Sequence, residues 1–355
     1  MNYIGSKQTL LPFIEQVFRQ VTNGSEKTFC DLFAGTGAVG RHFKRLGLRI
    51  IANDFLHYAF ALNHAYLTIN RPPRFANLQQ QCNTETARAC ASNVSQLERV
   101  LAFVNALPGI TGFITQQYSP AGGRRYYSTD NAQKADAIRQ ALNRWRQQQL
   151  INEAEFSYLR CSLLEAIDQV ANTASVYGAF LKQFKASAQK PLTLRPLALS
   201  NHVMGCQVFQ RDANELIREI ECDVLYLDPP YNHRQYGANY HVLETIAAYD
   251  EPVLTGVTGL RPYPRSRYCQ PKAAAAALED LIRHARAKHI LLSYNDEGLL
   301  SLDDVTRILS LRGKPRRFET EYNRFKADNG RAYKRTGTVE FVHYVRVTTP
   351  AAASG

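Results

Sequence analysis

The sequence predicts an α/β protein: a mainly parallel sheet with helices on both faces, carrying a mainly helical inserted module. Three observations lead there. Near the N-terminus a strand, a Gly-rich turn, a helix and a second strand follow one another. Much later a short apolar strand, Cys222–Leu227, runs straight into an acid. Between about residues 71 and 200 the chain turns rich in Gln, Asn, Arg and Ala at helical spacing. Strands that alternate with helices imply parallel crossovers.

The elements follow in order. Leu10, Phe13, Ile14, Val17, Phe18 and Val21 recur at helical spacing. Ser25–Phe33 reads as a strand entering the turn. Ala38–Leu46 reads as a helix ended by Gly47, and Leu48–Ala52 as a buried strand ending at Asn53-Asp54. Residues 71–200 form the helical insert, punctuated by a loop at Ser119–Tyr127. The sheet pattern resumes near Val203, with Cys222–Leu227, His289–Ser293, Phe318–Phe325 and Val339–Val347 as strands. Residues 1–70 and 201–348 make up the sheet domain, and Pro350–Gly355 reads as a frayed tail.

The 355 residues suffice for one large α/β domain and a second module. Forty-three Lys and Arg against 31 Asp and Glu give a net charge of +12. That balance favours a polyanionic partner, although a solvated basic surface would produce it too. Seven scattered cysteines form no CxxC pair, so neither a metal site nor a disulfide framework is expected. A reduced, cytoplasmic setting fits them. No run approaches 18 apolar residues, and the N-terminus has no signal-peptide pattern. No membrane association is expected, and a monomer or weak dimer is.

Gly35, Gly37 and Gly40 form a GxGxxG pattern between a strand and a helix, with Asp54 ending the next strand. Such turns let the backbone approach a nucleotide-like ligand while the acid binds ribose hydroxyls. Asp31 ends the first strand. A carboxylate there suits a cationic, amino-bearing cofactor and would repel a pyrophosphate. This favours S-adenosylmethionine over a nicotinamide dinucleotide.

Asp228-Pro229-Pro230-Tyr231 ends a buried strand, at the sheet edge where α/β proteins bind ligands. The prolines stiffen the turn and leave carbonyls without competing donors. An aromatic amine is a poor nucleophile because its lone pair is conjugated into the ring. Two acceptors on its N–H bonds, the Asp228 carboxylate and the Pro229 carbonyl, would free that lone pair for in-line attack on a methyl group. Tyr231 can stack on the base, which must first leave the duplex.

NYIGSK (Asn2–Lys7), DLFAGTGAVG (Asp31–Gly40), Asn53-Asp54 and DPPY (Asp228–Tyr231) together resemble the DPPY-type, adenine-specific N6 DNA methyltransferases, in the order where cofactor motifs precede the catalytic one. The resemblance covers the sheet domain and not the insert. It implies a Rossmann-like methyltransferase sheet and S-adenosylmethionine as donor. It implies Asp228, Pro229, Pro230 and Tyr231 as the catalytic set. Tyr3 and Lys7 would stand at the cofactor and active-site rim, Phe33, Gly35 and Gly37 along the methionine part, Asp54 on the ribose and Asp212 on the adenine. Ser293–Gly298 resembles a later motif that supports the target-base pocket.

Double-stranded DNA is then the expected partner, with a cognate restriction endonuclease acting on the same site. Arg124 and Arg125 in the insert, Arg234 after the tetrapeptide, and Arg261, Arg265 and Arg267 in the basic 255–272 loop are candidate DNA contacts. Each cluster could equally be a solvated loop. The insert and this loop are the candidates for sequence recognition. Two other functions remain open at this point. An RNA adenine N6-methyltransferase would share every chemical motif. A nicotinamide-dependent oxidoreductase would share GxGxxG but leaves DPPY and Asp31 unexplained.

Overall fold

The computed structural model describes residues 5–78, 95–200, 203–295, 298–323 and 337–348. The described chain begins with α1 (Leu11–Val21), β1 (Thr28–Asp31), α2 (Ala38–Arg45), β2 (Arg49–Asn53) and α3 (His57–Thr68). Helices α4 (Gln96–Ala106), α5 (Phe113–Tyr118), α6 (Thr129–Gln147) and α7 (Glu153–Gln169) follow. Then come β3 (Gln207–Phe209), α8 (Ala213–Leu216), β4 (Glu221–Leu227), α9 (Tyr236–Asn239) and α10 (His241–Ala248). The last elements are α11 (Pro271–His284), β5 (Arg286–Asn295), α12 (Leu302–Ser310), β6 (Pro315–Asn323) and β7 (Gly337–Arg346).

Among the described residues seven strands form one sheet in the order β3-β2-β1-β4-β5-β7-β6. The first five are parallel, and β7 joins β5 antiparallel, with β6 on its far side. Strand order reverses direction between β1 and β4, which makes their carboxyl ends the crevice of a doubly wound sheet. The register is explicit there, with Cys30 opposite Leu225 and Asp31 opposite Tyr226.

Both faces of the sheet are covered, as parallel sheets require. On one, Cys30, Leu225, Leu227, Ile290 and Leu292 pack with Leu216 and with Leu278 and Leu281 of α11. On the other, Phe29 stacks on Phe43 at a centroid distance of 4.0 Å, and Phe18 of α1 meets Phe43 edge-on at 5.1 Å. Alternation along β1 explains both contacts: Phe29 and Cys30 are neighbours that point to opposite faces. Truncating Phe29 to Ala is expected to cost about 3–5 kcal/mol.

The chain separates into two units. The sheet unit takes its described residues from Gly5–Asn63, His202–Gly237 and Pro264–Gly355. The second takes its described residues from His64–Asn201 and Ala238–Tyr263. The second unit is helical through Gln169, but residues 170–200 depart from the expected helical pattern and contain one short 3-10 turn, Ala186–Gln189. Side-chain amides satisfy that backbone in place of a helix. Asn131 donates to the carbonyls of Ala188 and Lys190 and accepts the Leu192 N–H. Asn105 both donates to the Leu194 carbonyl and accepts its N–H. Buried backbone groups need such partners wherever a ladder is missing.

Candidate active site

The turn after β1 is built around two glycines in the left-handed region, Gly35 at φ 52° and Gly37 at φ 78°. Gly37 is required twice over, because a Cβ there would also stand 2.5 Å from Asn63 Oδ1. Asn63 reaches up from α3 and donates to the Gly35 carbonyl at 2.9 Å. Asp54 accepts the Gly35 N–H at 2.9 Å and the Leu56 N–H at 3.0 Å, tying the end of β2 to the turn. Asn53 joins three strand ends: its amide donates to the carbonyls of Leu32 and Arg211 and accepts the Arg211 N–H.

Four acids gather along this edge. Asp31 is 1% exposed and accepts the Gly40 N–H at 3.2 Å. Burial, with further pressure from the charges of Asp228 and Asp54, raises its pKa to about 8, against the Gly40 N–H. Asp212 caps α8 by accepting the N–H groups of Asn214 and Glu215, and it pairs with Arg267 at 3.4 Å. Asp54 and Asp228 complete the set. A cationic group with amino and hydroxyl functions suits such an edge, because its charge would favour the ionised form of Asp31 that burial disfavours.

Asp228 follows β4. Lys7, buried in a 3-10 turn before α1, sets its ammonium 3.3 Å from Asp228 Oδ1 and 3.5 Å from Glu340 Oε2. Burial pushes the Asp228 carboxyl up, Lys7 pulls it down and Glu340 pushes it up again, leaving its pKa at about 6. Lys7 is itself held protonated: burial disfavours its charge, but Asp228 and Glu340 outweigh that. Tyr231 meets the Tyr294 ring edge-on at 6.2 Å, and its carbonyl accepts the Leu299 N–H. Tyr294 OH in turn accepts the Leu300 N–H, and any Cβ at Gly298 would overlap the Tyr294 ring. The segment after β5 thus wraps the aromatic pair beside the tetrapeptide. Among the described residues no cluster of His, Cys, Asp or Glu could hold a metal ion.

Of the expected site residues, Lys7, Asp31, Gly35, Gly37, Asp54, Asp212 and the tetrapeptide lie in the sheet unit, at or beside the carboxyl ends of its strands. Phe33 is there too, its ring edge-on to Tyr268 at 5.0 Å. Tyr3 lies outside the described residues, as do Asp296, Glu297, the Arg324-Phe325 end of the strand expected at Phe318–Phe325, and the tail. Lys7 rests on Asp228. Glu340 was given no role by sequence reasoning, and its place opposite Asn295 in the β5–β7 register is what brings it in.

The arginines divide. Arg234 and Arg265 are exposed, and the Ser266 N–H donates to Gln235 Oε1, which holds their two segments side by side. Arg267 is exposed and paired with Asp212. In the other unit Arg261 is 8% exposed and forks onto both oxygens of Asp250 at 3.1 and 2.7 Å. Arg124 donates to the carbonyls of Val257, Gly256 and Gln117 and so braces the 255–260 turn. Arg125 is exposed and donates to the Lys182 carbonyl. Arg124 and Arg261 therefore spend their donors on the protein itself.

The sequence model of the D12 class of N6 adenine-specific DNA methyltransferases matches residues 3–308. The chain belongs to that family. It is a DNA adenine N6-methyltransferase, and the oxidoreductase and RNA readings fall away with that membership. The methyltransferase is 44% identical to the Type II methyltransferase M.NlaIII of Neisseria lactamica over 354 residues, covering 98% of this chain and 100% of that one. It is 39% identical to the Type II methyltransferase M.FokI of Planomicrobium okeanokoites, covering 92% of this chain and 50% of that protein. M.CviAII of Paramecium bursaria Chlorella virus 1, also a Type II methyltransferase, is 34% identical over 92% of this chain and 93% of its own. No described helix of the methyltransferase is long and apolar enough to cross a membrane.

Proposed function

We propose that the methyltransferase moves a methyl group from S-adenosylmethionine to the N6 of an adenine flipped out of one short sequence in double-stranded DNA. The observation that carries this reading is Asp228: a carboxylate at the end of a buried strand, backed by a buried ammonium on one oxygen and followed by two prolines. With a pKa at about 6 it is ionised at neutral pH and can accept an N–H of the target amine. The Pro229 carbonyl accepts the second N–H, and Tyr231 stacks on the base.

The acidic edge fits S-adenosylmethionine. When bound, this donor supplies an electrophilic methyl on a sulfonium. Asp31 would face its cationic end, where a positive charge would restore the ionised carboxylate that burial disfavours. Phe33, Gly35 and Gly37 would hold its methionine part, Asp54 the ribose hydroxyls and Asp212 the adenine. Transfer would be direct, the methyl–sulfur bond breaking as the methyl–N6 bond forms and the surplus N6 proton leaving to Asp228 or solvent, without a covalent bond to the protein.

The helical unit, with Ala238–Tyr263, reads the sequence, while Arg234 and Arg265 contact phosphates. By analogy with the Type II relatives, a restriction endonuclease of the same specificity is the expected partner, in a cytoplasmic setting, with the methyltransferase acting as a monomer or weak dimer. The test is transfer of labelled methyl from S-adenosylmethionine to unmethylated genomic DNA, followed by single-molecule sequencing. N6-methyladenine confined to one short motif is expected. Label on structured RNA alone, or at scattered adenines, would overturn the reading.

A further inference from the structure

β7 runs against the five parallel strands, so its first residues arrive at the edge where theirs end. The pairing of Glu340 with Asn295 marks that point. Glu340 is 7% exposed, and its carboxylate is joined to the protein through the Lys7 ammonium at 3.5 Å. Lys7, 6% exposed, spans from there to one oxygen of Asp228 at 3.3 Å. A buried Lys–Asp pair already balances its own charge. A second buried acid makes the cluster net negative, and desolvating it costs free energy that stability alone does not require. What the second acid does is divide the ammonium between two carboxylates.

We infer that Glu340 is a positioning residue for methyl transfer: it draws the Lys7 ammonium to one side, so that Lys7 backs Asp228 through Oδ1 and leaves Oδ2 to the target amine. The inference rests on Asp228 being the acceptor for that amine. The charged and titratable groups facing Asp228 are Lys7 from the N-terminal turn, Glu340 from β7, Asp31 from β1, and the phenols of Tyr226 and Tyr231. Without Glu340 the ammonium settles fully on Asp228. The carboxylate then becomes both harder to protonate and less available to the base.

The experiment is the single-turnover transfer rate as a function of pH for the full chain and its Glu340→Gln form, on DNA carrying the target motif. Two changes are expected together. The plateau rate falls by about tenfold or more, the scale of a misdirected catalytic group. The acid limb moves to lower pH, because the charge that pushes Asp228 up is gone. Affinities for S-adenosylmethionine and for DNA stay within about twofold of the parent.

A profile superimposable on the parent overturns the inference. So does a uniform loss with an unmoved limb and a lowered melting temperature, which marks Glu340 as merely structural. If Glu340→Gln does not fold, Glu340→Asp carries the test: the charge is kept but withdrawn by one methylene, so the limb stays and the plateau falls. An unchanged plateau in that variant overturns the inference. Asp228→Asn separates the two levels. If it transfers methyl at the parent rate, the reading of Asp228 fails. If it is inactive while Glu340→Gln matches the parent, only the role of Glu340 fails.

Discussion

The N–H of Gly35 donates to Asp54 Oδ2 at 2.9 Å, so the acid that ends β2 also fixes the turn that ends β1. The same carboxylate accepts the Leu56 N–H through its other oxygen. Its charge and its geometry therefore serve two purposes that substitution can separate. Asp54→Ala strands two donors and is expected to cost about 1–3 kcal/mol of stability. Asp54→Asn keeps one acceptor and costs less, yet loses the charge just as fully. Both variants should weaken binding of S-adenosylmethionine. Thermal melts with and without it measure the two effects, and equal melting of the Ala and Asn forms would refute the turn-fixing role.

Lys7 controls the charge of Asp228. With the ammonium in place the carboxyl sits at about 6, so the transfer rate should fall as pH drops through that value and the acceptor is protonated. Lys7→Met removes the group that pulls the carboxyl down, leaving burial and Glu340 to push it up. The acid limb of the single-turnover profile should therefore move to higher pH, and activity at neutral pH should fall by about tenfold or more. A limb that stays in place would show that Lys7 acts elsewhere.

Asp223 has a structural duty at the opposite end of the same strand. Its carboxylate accepts the N–H groups of Lys27 and Thr28 and the Thr28 hydroxyl, and it pairs with Lys288 at 2.7 Å. Burial resists its ionisation, but Lys288 and these donors overcome that and hold it well below the usual carboxylate range. A depressed folded-state pKa stabilises the fold fully at any pH above the unfolded value, about 3.9, and that contribution declines as pH falls below it, to vanish only below the folded pKa. Asp223→Ala should cost about 1–3 kcal/mol at pH 7 and roughly 1 kcal/mol less near pH 3, where the unfolded chain has begun to take up the proton but the folded carboxylate has not. Denaturant titrations at the two pH values would disprove this if the loss were the same at both.

The arginines make opposite forecasts. Arg234 and Arg265 are exposed, so alanine at either should weaken DNA binding and reduce the slope of log affinity against log salt by about 1. Arg261 is buried against Asp250, so Arg261→Ala leaves a carboxylate without its fork and should lower the melting temperature while the salt slope stays. Binding isotherms at several salt concentrations, paired with melts, decide between these roles. A slope change for Arg261→Ala would make it a phosphate contact after all.

The sheet and its ligand edge were legible because their signals are local. Asp31, Gly35, Gly37 and Asp54 fall within one βαβ unit, and Asp228 ends an apolar strand that has no other reading. Glu340 was not legible. Alternation along Val339–Val347 marks a strand, but only strand order and antiparallel sense bring that glutamate to Lys7, 333 positions away. Arg261 is a related case. Three arginines and two tyrosines in eight residues look like a nucleic-acid surface, and chain order does not show that one of the three is paired with Asp250 within the same unit. Nor does chain order announce that Ala238–Tyr263, lying between parts of the sheet unit, clusters with the helices of the other.

Asn53 acts as a gauge. Backbone ladders align β1, β2 and β3 along their lengths, but one amide sets the spacing of the ends of all three, gripping Leu32 on one side and Arg211 on the other. Aspartate in its place would turn an oxygen toward two carbonyls and force the ends apart. The span from Asp212 through Asp54 to Asp31 is thus calibrated by a side chain that need never touch a ligand, and any molecule laid across it is measured against a fixed length.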